Sequence, residues 1–296
     1  MKYYLFALFS LSCLVSAGSS VVMAEVEPVS QLIQKAENGD MVAQYELAIK
    51  MLKIDVEDVP QDFSDTEVSK WMTKSADQGY LKAQSFLGAL YYEGKGVPQD
   101  YGAAVKWFVK AADQGDVESQ VNLGSIYVEG KGVPQDYDEA VKWYRKAAAQ
   151  NEPGAEYALG LMYDNGWGVQ QDHQAAIEWW RKAAEQGYVD AQYNLGFIYG
   201  MGKGVPQDYV EAEKWFRKAA EQGDAKSQGF LGVLLSEEQR DSNDYIEAYA
   251  WLSLSALQGN RNALLAREIL KEMMDAKALS EADSLFHEYR GKYIQK

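Results

Sequence analysis

The chain is poor in the residues that most often carry chemistry: one cysteine and two histidines among 296 residues. The single cysteine, Cys13, sits in an apolar N-terminal stretch, residues 5–15, which follows Lys2. That stretch is too short to span a bilayer and has the form of an export signal. Small-residue sites ending at Ala17 and Ala24 follow it, and cleavage after Ala24 is expected. Ser10 stands three residues before Cys13, where a lipid-anchor signal would place an aliphatic residue. The mature protein would then lack cysteine, which excludes disulfides and thiol chemistry despite an oxidising destination. The expected location is the periplasm, with release to the medium as the alternative.

His173 and His287 stand far apart, and no Cys/His spacing suits zinc. His173 takes the place of the tyrosine that follows a helix cap and reads as a turn variant. The carboxylates fall mostly at helix caps and on exposed helix faces, where they complement the helix dipole. No acid, base and nucleophile converge, so neither an enzyme nor a cofactor or metal is expected. Positive charge is also in deficit. Against 44 acidic residues stand 29 Lys and Arg, a net charge of -15 and a pI near 4.7. Nucleic acid and anionic membrane surfaces would be repelled.

What the chain does have is repetition. Trp71, Trp107, Trp143, Trp179, Trp215 and Trp251 recur every 36 residues, and Leu87, Leu123, Leu159, Leu195 and Leu231 form a second comb at that interval. A single globular core gives no reason to space its largest side chains evenly. A stack of small units does, because each must offer the same surfaces to its neighbours.

One unit, residues 83–115, shows the logic. Ala83, Phe86, Leu87, Leu90 and Tyr91 fall at i, i+3, i+4, i+7 and i+8, one apolar helical face. Gly88 costs that helix roughly 1 kcal/mol relative to alanine. Yet Gly124, Gly160, Gly196 and Gly232 repeat it, which implies close approach of a second helix. Gly94 and Gly96 offer a left-handed helix end, and Pro98 forbids continuation. Asp100 is the expected N-cap of the next helix, with Asp136, Asp172, Asp208 and Asp244 as its counterparts. Glu139, Glu211 and Glu247 stand three residues later, as capping-box partners would. Ala104, Trp107, Phe108, Ala111 and Ala112 form the buried face of the second helix. Each unit is thus a helical hairpin whose small residues receive a tryptophan layer. The Gly-x-Gly turns are not a nucleotide site: they follow helices rather than strands, and they occur four times.

The segments AQSFLGALYYEGKGVPQDYGAAVKWFVKAADQG and AQYNLGFIYGMGKGVPQDYVEAEKWFRKAAEQG resemble the Sel1-like repeat, a relative of the tetratricopeptide repeat. The resemblance implies an all-α solenoid, a right-handed superhelix of paired helices whose inner, concave face is lined by the first helix of each pair. It says little about the ligand. The expected organisation is a signal at 1–24, a capping helix at 25–39, six repeats over 40–260 and capping helices over 261–296. The repeats run at about 40–79, 80–115, 116–151, 152–187, 188–223 and 224–259. The first unit has a longer connection at residues 54–58 in place of the glycine turn, and the sixth a polar run at 236–244. Leu32 would serve the N-terminal cap as a core residue. Two amphipathic helices, 261–274 and 279–290, would close the other end.

Function is expected where the units differ. Subtracting the buried positions of the first helices leaves Tyr92 and Glu93; Asn122, Ser125 and Glu129; Tyr157, Leu161 and Asp164; and Tyr193, Asn194, Phe197 and Met201. Aromatic and methionine side chains suit recognition. Asn122 and Asn194 stand where tetratricopeptide relatives often grip a peptide backbone or carboxylate. The leading expectation is a monomeric, non-enzymatic scaffold of the bacterial envelope that binds a protein or peptide on the concave face. A cell-wall or surface-glycan binder is the alternative. A β-lactamase-like hydrolase, suggested by cysteine-rich relatives of this repeat class, ranks below both because their paired cysteines are missing.

Overall fold

A computed structural model describes residues 28–52, 65–237 and 242–294. The expected signal at 1–24 and the connection at 54–58 lie outside these residues. The described chain is all helix: α1 Val29–Glu37, α2 Met41–Leu52, α3 Asp65–Asp77, α4 Leu81–Glu93, α5 Tyr101–Asp113, α6 Val117–Glu129, α7 Tyr137–Ala148, α8 Pro153–Asn165, α9 His173–Glu185, α10 Val189–Met201, α11 Tyr209–Glu221, α12 Ala225–Leu235, α13 Ser242–Leu257, α14 Arg261–Met273 and α15 Ala276–Tyr293. No strand occurs among the described residues. From α2 onward the even-numbered helices are the first members of hairpins and the odd-numbered ones the second. The chain forms two compact units, one built from residues through Ala155 with Trp167–Val169, the other from Glu156–Gly166 and Gln170–Lys296.

The punctuation between helices works by backbone geometry. Gly94 and Gly96 have φ of 70° and 69°, and the Gly94 amide bonds back to the Leu90 carbonyl, ending α4. Gly132 also has positive φ, and a Cβ there would come within 2.5 Å of Tyr101. Asp100, Asp136, Asp172 and Asp208 each accept an amide hydrogen bond as N-cap. Asp244 is not an N-cap: α13 begins at Ser242 and holds Asp244 inside its first turn. The reciprocal half of the capping box is also missing. The Asp136 and Asp208 amides already donate to Tyr127 and Tyr199 carbonyls at 2.9 Å. Glu139 and Glu211 therefore turn outward to Lys142 and Lys214, and Glu247 pairs with Arg217.

The recurring helix glycines make room for aromatic rings, but not for those of the tryptophan comb. Built Cβ atoms at Gly88, Gly124, Gly160, Gly196 and Gly232 meet Phe108, Tyr144, Trp180, Phe216 and Leu252, each one residue after a comb tryptophan. One residue turns about 100° around a helix, so the two positions face different neighbours. The notch residue closes its own hairpin. The tryptophan reaches the preceding one: Trp143 joins the cluster of Phe108 on α5, and Trp215 that of Trp180 on α9. Lysine ammonium groups cover the outer faces of Trp71, Trp107, Trp143, Trp179 and Trp215 at 3.8–4.4 Å from the centroids. At Trp251 that lysine position is Leu254, and Tyr289 and Tyr293 of α15 stack on the indole instead.

A third comb consists of buried amides. Gln44, Gln84, Gln120, Gln192 and Gln228 donate to the carbonyls of Ala36, Ala76, Ala112, Ala184 and Ala220 at 2.9–3.1 Å, satisfying the frayed end of the preceding helix. Their own carbonyls accept from Gln78, Gln114, Gln150, Gln222 and Gln258. Glu156 holds the equivalent place in α8, buried, and accepts from Gln186 at 2.7 Å. At the N-terminal end Leu32 packs α1 into the first core, as expected. At the other end α15 starts at Ala276 rather than 279, because Asp275 caps the Ala278 amide.

Candidate binding face

The first helices carry their variable residues differently in the two units. In the first unit those residues are engaged with one another. Tyr92 is only 8% exposed, a correction to its expected place on an open face. Its ring packs edge-on against Tyr101 at 5.2 Å, and its hydroxyl accepts from Lys131 at 3.0 Å. Burial raises the pKa of that hydroxyl, and the Lys131 hydrogen bond partly offsets the rise. Glu129 completes the group at 2.7 Å from the Lys131 ammonium, whose pKa these partners raise against the cost of its burial. Glu93 pairs with Lys95 at 2.6 Å. Ser125 shares a hydrogen bond of 3.0 Å with the Tyr144 hydroxyl, across the hairpin. Asn122 lies half-buried on α6. Here Tyr92, Glu129 and Lys131 staple one hairpin to the next, while Ser125 ties the two helices of its own hairpin.

In the second unit the start of the face is likewise internal. The Tyr157 hydroxyl is held by the Asn194 side chain, and burial, then the Asp190 charge, pushes its pKa up. Its ring lies against Tyr188 at 5.1 Å. Asp164 accepts from His173 Nδ1 at 2.7 Å and pairs with Lys203 at 3.1 Å. His173, the variant residue, thus holds a turn: its Cβ also lies where a side chain at Gly204 would stand.

Beyond these lies an open surface. Tyr193 and Phe197, a turn apart on α10, have ring centroids 6.3 Å apart. Phe230 of α12 meets Tyr193 at 5.9 Å and Phe197 edge-on at 6.1 Å, and it stacks flat on Phe216 beneath at 5.3 Å. The rings are bound to the core on one side and open on the other. Phe230 is 40% exposed, Val233 45% and Met201 64%. Phe230 and Val233 were not among the expected residues. The comb itself carries the signal for Val233, which stands 36 residues after Phe197, as Phe197 does after Leu161. The same count reaches Ile269 in α14, 65% exposed, and α14 begins 36 residues after α12. Helix α14 is therefore a first helix in register, although its sequence lacks the repeat motif.

Asp190 and Asp224 stand at the N-terminal ends of α10 and α12. Burial raises the Asp190 carboxyl, the Asp224 charge raises it further, and Lys226 opposes both. No group of three or more His, Cys, Asp or Glu is placed to hold a metal among the described residues. No described helix is long and apolar enough to cross a membrane.

Comparison with known proteins places this geometry. A Sel1 repeat protein from Oxalobacter formigenes has a similar structure, with 29% identity, a TM-score of 0.61, and coverage of 86% of this chain and 97% of that one. A protective antigen of uropathogenic Escherichia coli strains, described as displaying an SLR fold, shares 24% identity over 90% of this chain and 95% of its own, with a TM-score of 0.56. No curated protein matches the chain. The family model described as Sel1 repeat matches residues 70–80, 81–116, 117–152, 153–188, 189–224 and 225–260. Repeats of this kind generally serve as protein–protein interaction scaffolds. With its combs of glycine, aromatic and capping aspartate accounted for by hairpin packing, the chain belongs to the Sel1 repeat family.

Proposed function

We propose that this protein is an exported, periplasmic scaffold without catalytic activity, which binds a protein or peptide partner on its first-helix face. The observation that carries this reading is the open cluster of Tyr193, Phe197 and Phe230. The constant residues of the repeat are consumed by packing, whereas these rings leave an apolar surface facing solvent. Aromatic and methionine side chains concentrated on a rigid face are the composition of a recognition surface. Export rests on the leader at 1–24, with Lys2, the apolar stretch and the small-residue site ending at Ala24.

Crosslinked capture from an envelope extract tests the reading. The mature chain should enrich a specific protein, and Tyr193→Ala with Phe197→Ala should abolish that capture. Met201→Glu, at a position 64% exposed, weakens binding without touching the core. Undiminished capture by both variants would remove the face from consideration.

A further inference from the structure

The apolar character of the first-helix face is confined to one unit. At the position that follows the packing glycine, the first unit has Ala89 and Ser125, and the second has Leu161, Phe197 and Val233, with Ile269 at the matching place in α14. One turn further on, the first unit has Glu93 and Glu129, both paired with lysines. In the second unit that row reads Asn165, Met201 and Glu237, and α14 has Met273, with the two methionines 64% and 61% exposed. With Leu265 at 64%, the apolar stripe continues over α14, beyond the last motif-bearing repeat. Contiguous exposed apolar surface of this kind marks an interaction site rather than ordinary surface scatter.

Resting on the proposed binding role, we infer that the α10–α12–α14 face of the second unit docks a basic amphipathic α-helix of a protein partner. Two observations select that occupant. The first is spacing. Helix α10 meets α12 through Phe197 and Phe230, and α12 touches α14 directly. Packed helices lie about 8–10 Å apart. Seven residues of α-helix rise about 10.5 Å, so side chains at i, i+7 and i+14 match successive rows. Alternate residues of an extended strand advance only about 7 Å and fall out of step.

The second is charge. Asp190 and Asp224 stand at the N-terminal ends of α10 and α12, where burial and then the Asp224 charge disfavour ionisation of Asp190, with Lys226 the cation that opposes both. The chain as a whole carries -15. A lysine or arginine flanking the apolar face of the incoming helix would relieve that repulsion, whereas an acidic helix would add to it.

The probe is a synthetic amphipathic helix of about 18 residues, five turns, with leucines at the i, i+3/i+4, i+7 positions and lysines on the flanks. Its counterpart carries glutamates instead. Titrated against the full chain by fluorescence anisotropy, the basic peptide should bind and the acidic one should not. Val233→Asp and Ile269→Asp, both on exposed positions, should each weaken binding about tenfold or more. Asp190→Lys should shift preference toward the acidic peptide, and Glu93→Gln in the first unit should change nothing. Equal binding of both peptides, or binding indifferent to Val233→Asp and Ile269→Asp, overturns the proposal. So does a concentration-dependent doubling of mass that Val233→Asp abolishes, since a second copy would then be the occupant. If partner capture still depends on Tyr193 and Phe197 while the basic peptide fails to bind, the binding face stands and the basic helix falls. If neither depends on this face, both readings fall.

Discussion

The Tyr144 ring lies across the site where a side chain at Gly124 would stand: a Cβ there would come within 2.5 Å of the ring. The two residues belong to the two helices of one hairpin, and their separation is set by the missing methyl group.

Gly124→Ala therefore pits two effects against each other. Alanine should favour the helix by roughly 1 kcal/mol. Overpacking against a buried aromatic costs about 1–3 kcal/mol. The clash wins, and the variant should unfold at lower temperature or denaturant. In a double-mutant cycle, Tyr144→Ala should remove most of the penalty of Gly124→Ala, because it opens the space that the methyl needs. Strict additivity in the cycle would refute the contact.

Trp143 is 6% exposed and packs into the core of the preceding hairpin, so Trp143→Ala should cost about 3–5 kcal/mol. Trp143→Phe should cost less, since it keeps a ring in the slot. Trp107, only half-buried at the same repeat position, should be the more tolerant site. Chemical denaturation of the three variants orders them, and an unchanged midpoint for Trp143→Ala would show that the comb does not hold the hairpins together.

Gln120→Ala should destabilise by about 1–3 kcal/mol, because it strands the buried Ala112 carbonyl and loosens the exposed Gln150, which keeps only the Gly115 carbonyl. The Ala112 carbonyl loses its donor at 3.1 Å, and the Gln150 amide its acceptor at 3.0 Å. Hydrogen exchange at the C-terminal end of α5 and the start of α6 should quicken in the variant. Unaltered exchange there would mean that the amide comb is dispensable.

Glu247 gives the acid response. Burial alone would raise its carboxyl, but hydrogen bonds from Arg217, Trp251 and Tyr289 outweigh it and hold the group below its usual 4.5. A carboxyl more acidic in the folded than in the unfolded chain stabilises fully above the unfolded value. That contribution is lost as pH falls through the lower folded value. Wild type should lose stability from about pH 5 downward. Glu247→Gln should be weaker near neutrality and show a flatter decline over that window. An identical slope in both proteins would count against this network as the acid-sensitive element.

Much of the architecture was legible from residue types alone. The 36-residue interval announced the hairpins, the Gly-x-Gly turns marked the ends of α4, α6, α8 and α10, and Asp100, Asp136, Asp172 and Asp208 marked the starts of the helices that follow. Those features act through the local backbone, so a local pattern reports them. Less legible was what each variable side chain does once neighbours surround it. Tyr92 and Tyr157 occupy equivalent-looking surface positions in the sequence, yet Lys131 and Asn194, both from the following unit, take their hydroxyls. The buried glutamine comb was not legible because an amide three residues after a helix start reads as solvent-facing until the preceding helix presents a bare carbonyl to it. Helix α14 was expected, but its register with α12 was not, because Ala263 is kept from the motif while its leucine and glycine positions hold Arg267 and Glu268.

The sequence by itself determined the repeat, the hairpin and its turns, because helix periodicity, positive-φ glycine and capping aspartate are properties of short segments. Only the tertiary structure decided which aromatic fills each glycine notch, since positions one residue apart face opposite neighbours. It likewise decided which variable residues remain open. Tyr92, Glu129 and Ser125 are claimed by hydrogen-bonding or charged partners, whereas Phe230 and Val233 meet no such partner above their packed faces and stay exposed to solvent, with Phe197 half-buried beside them.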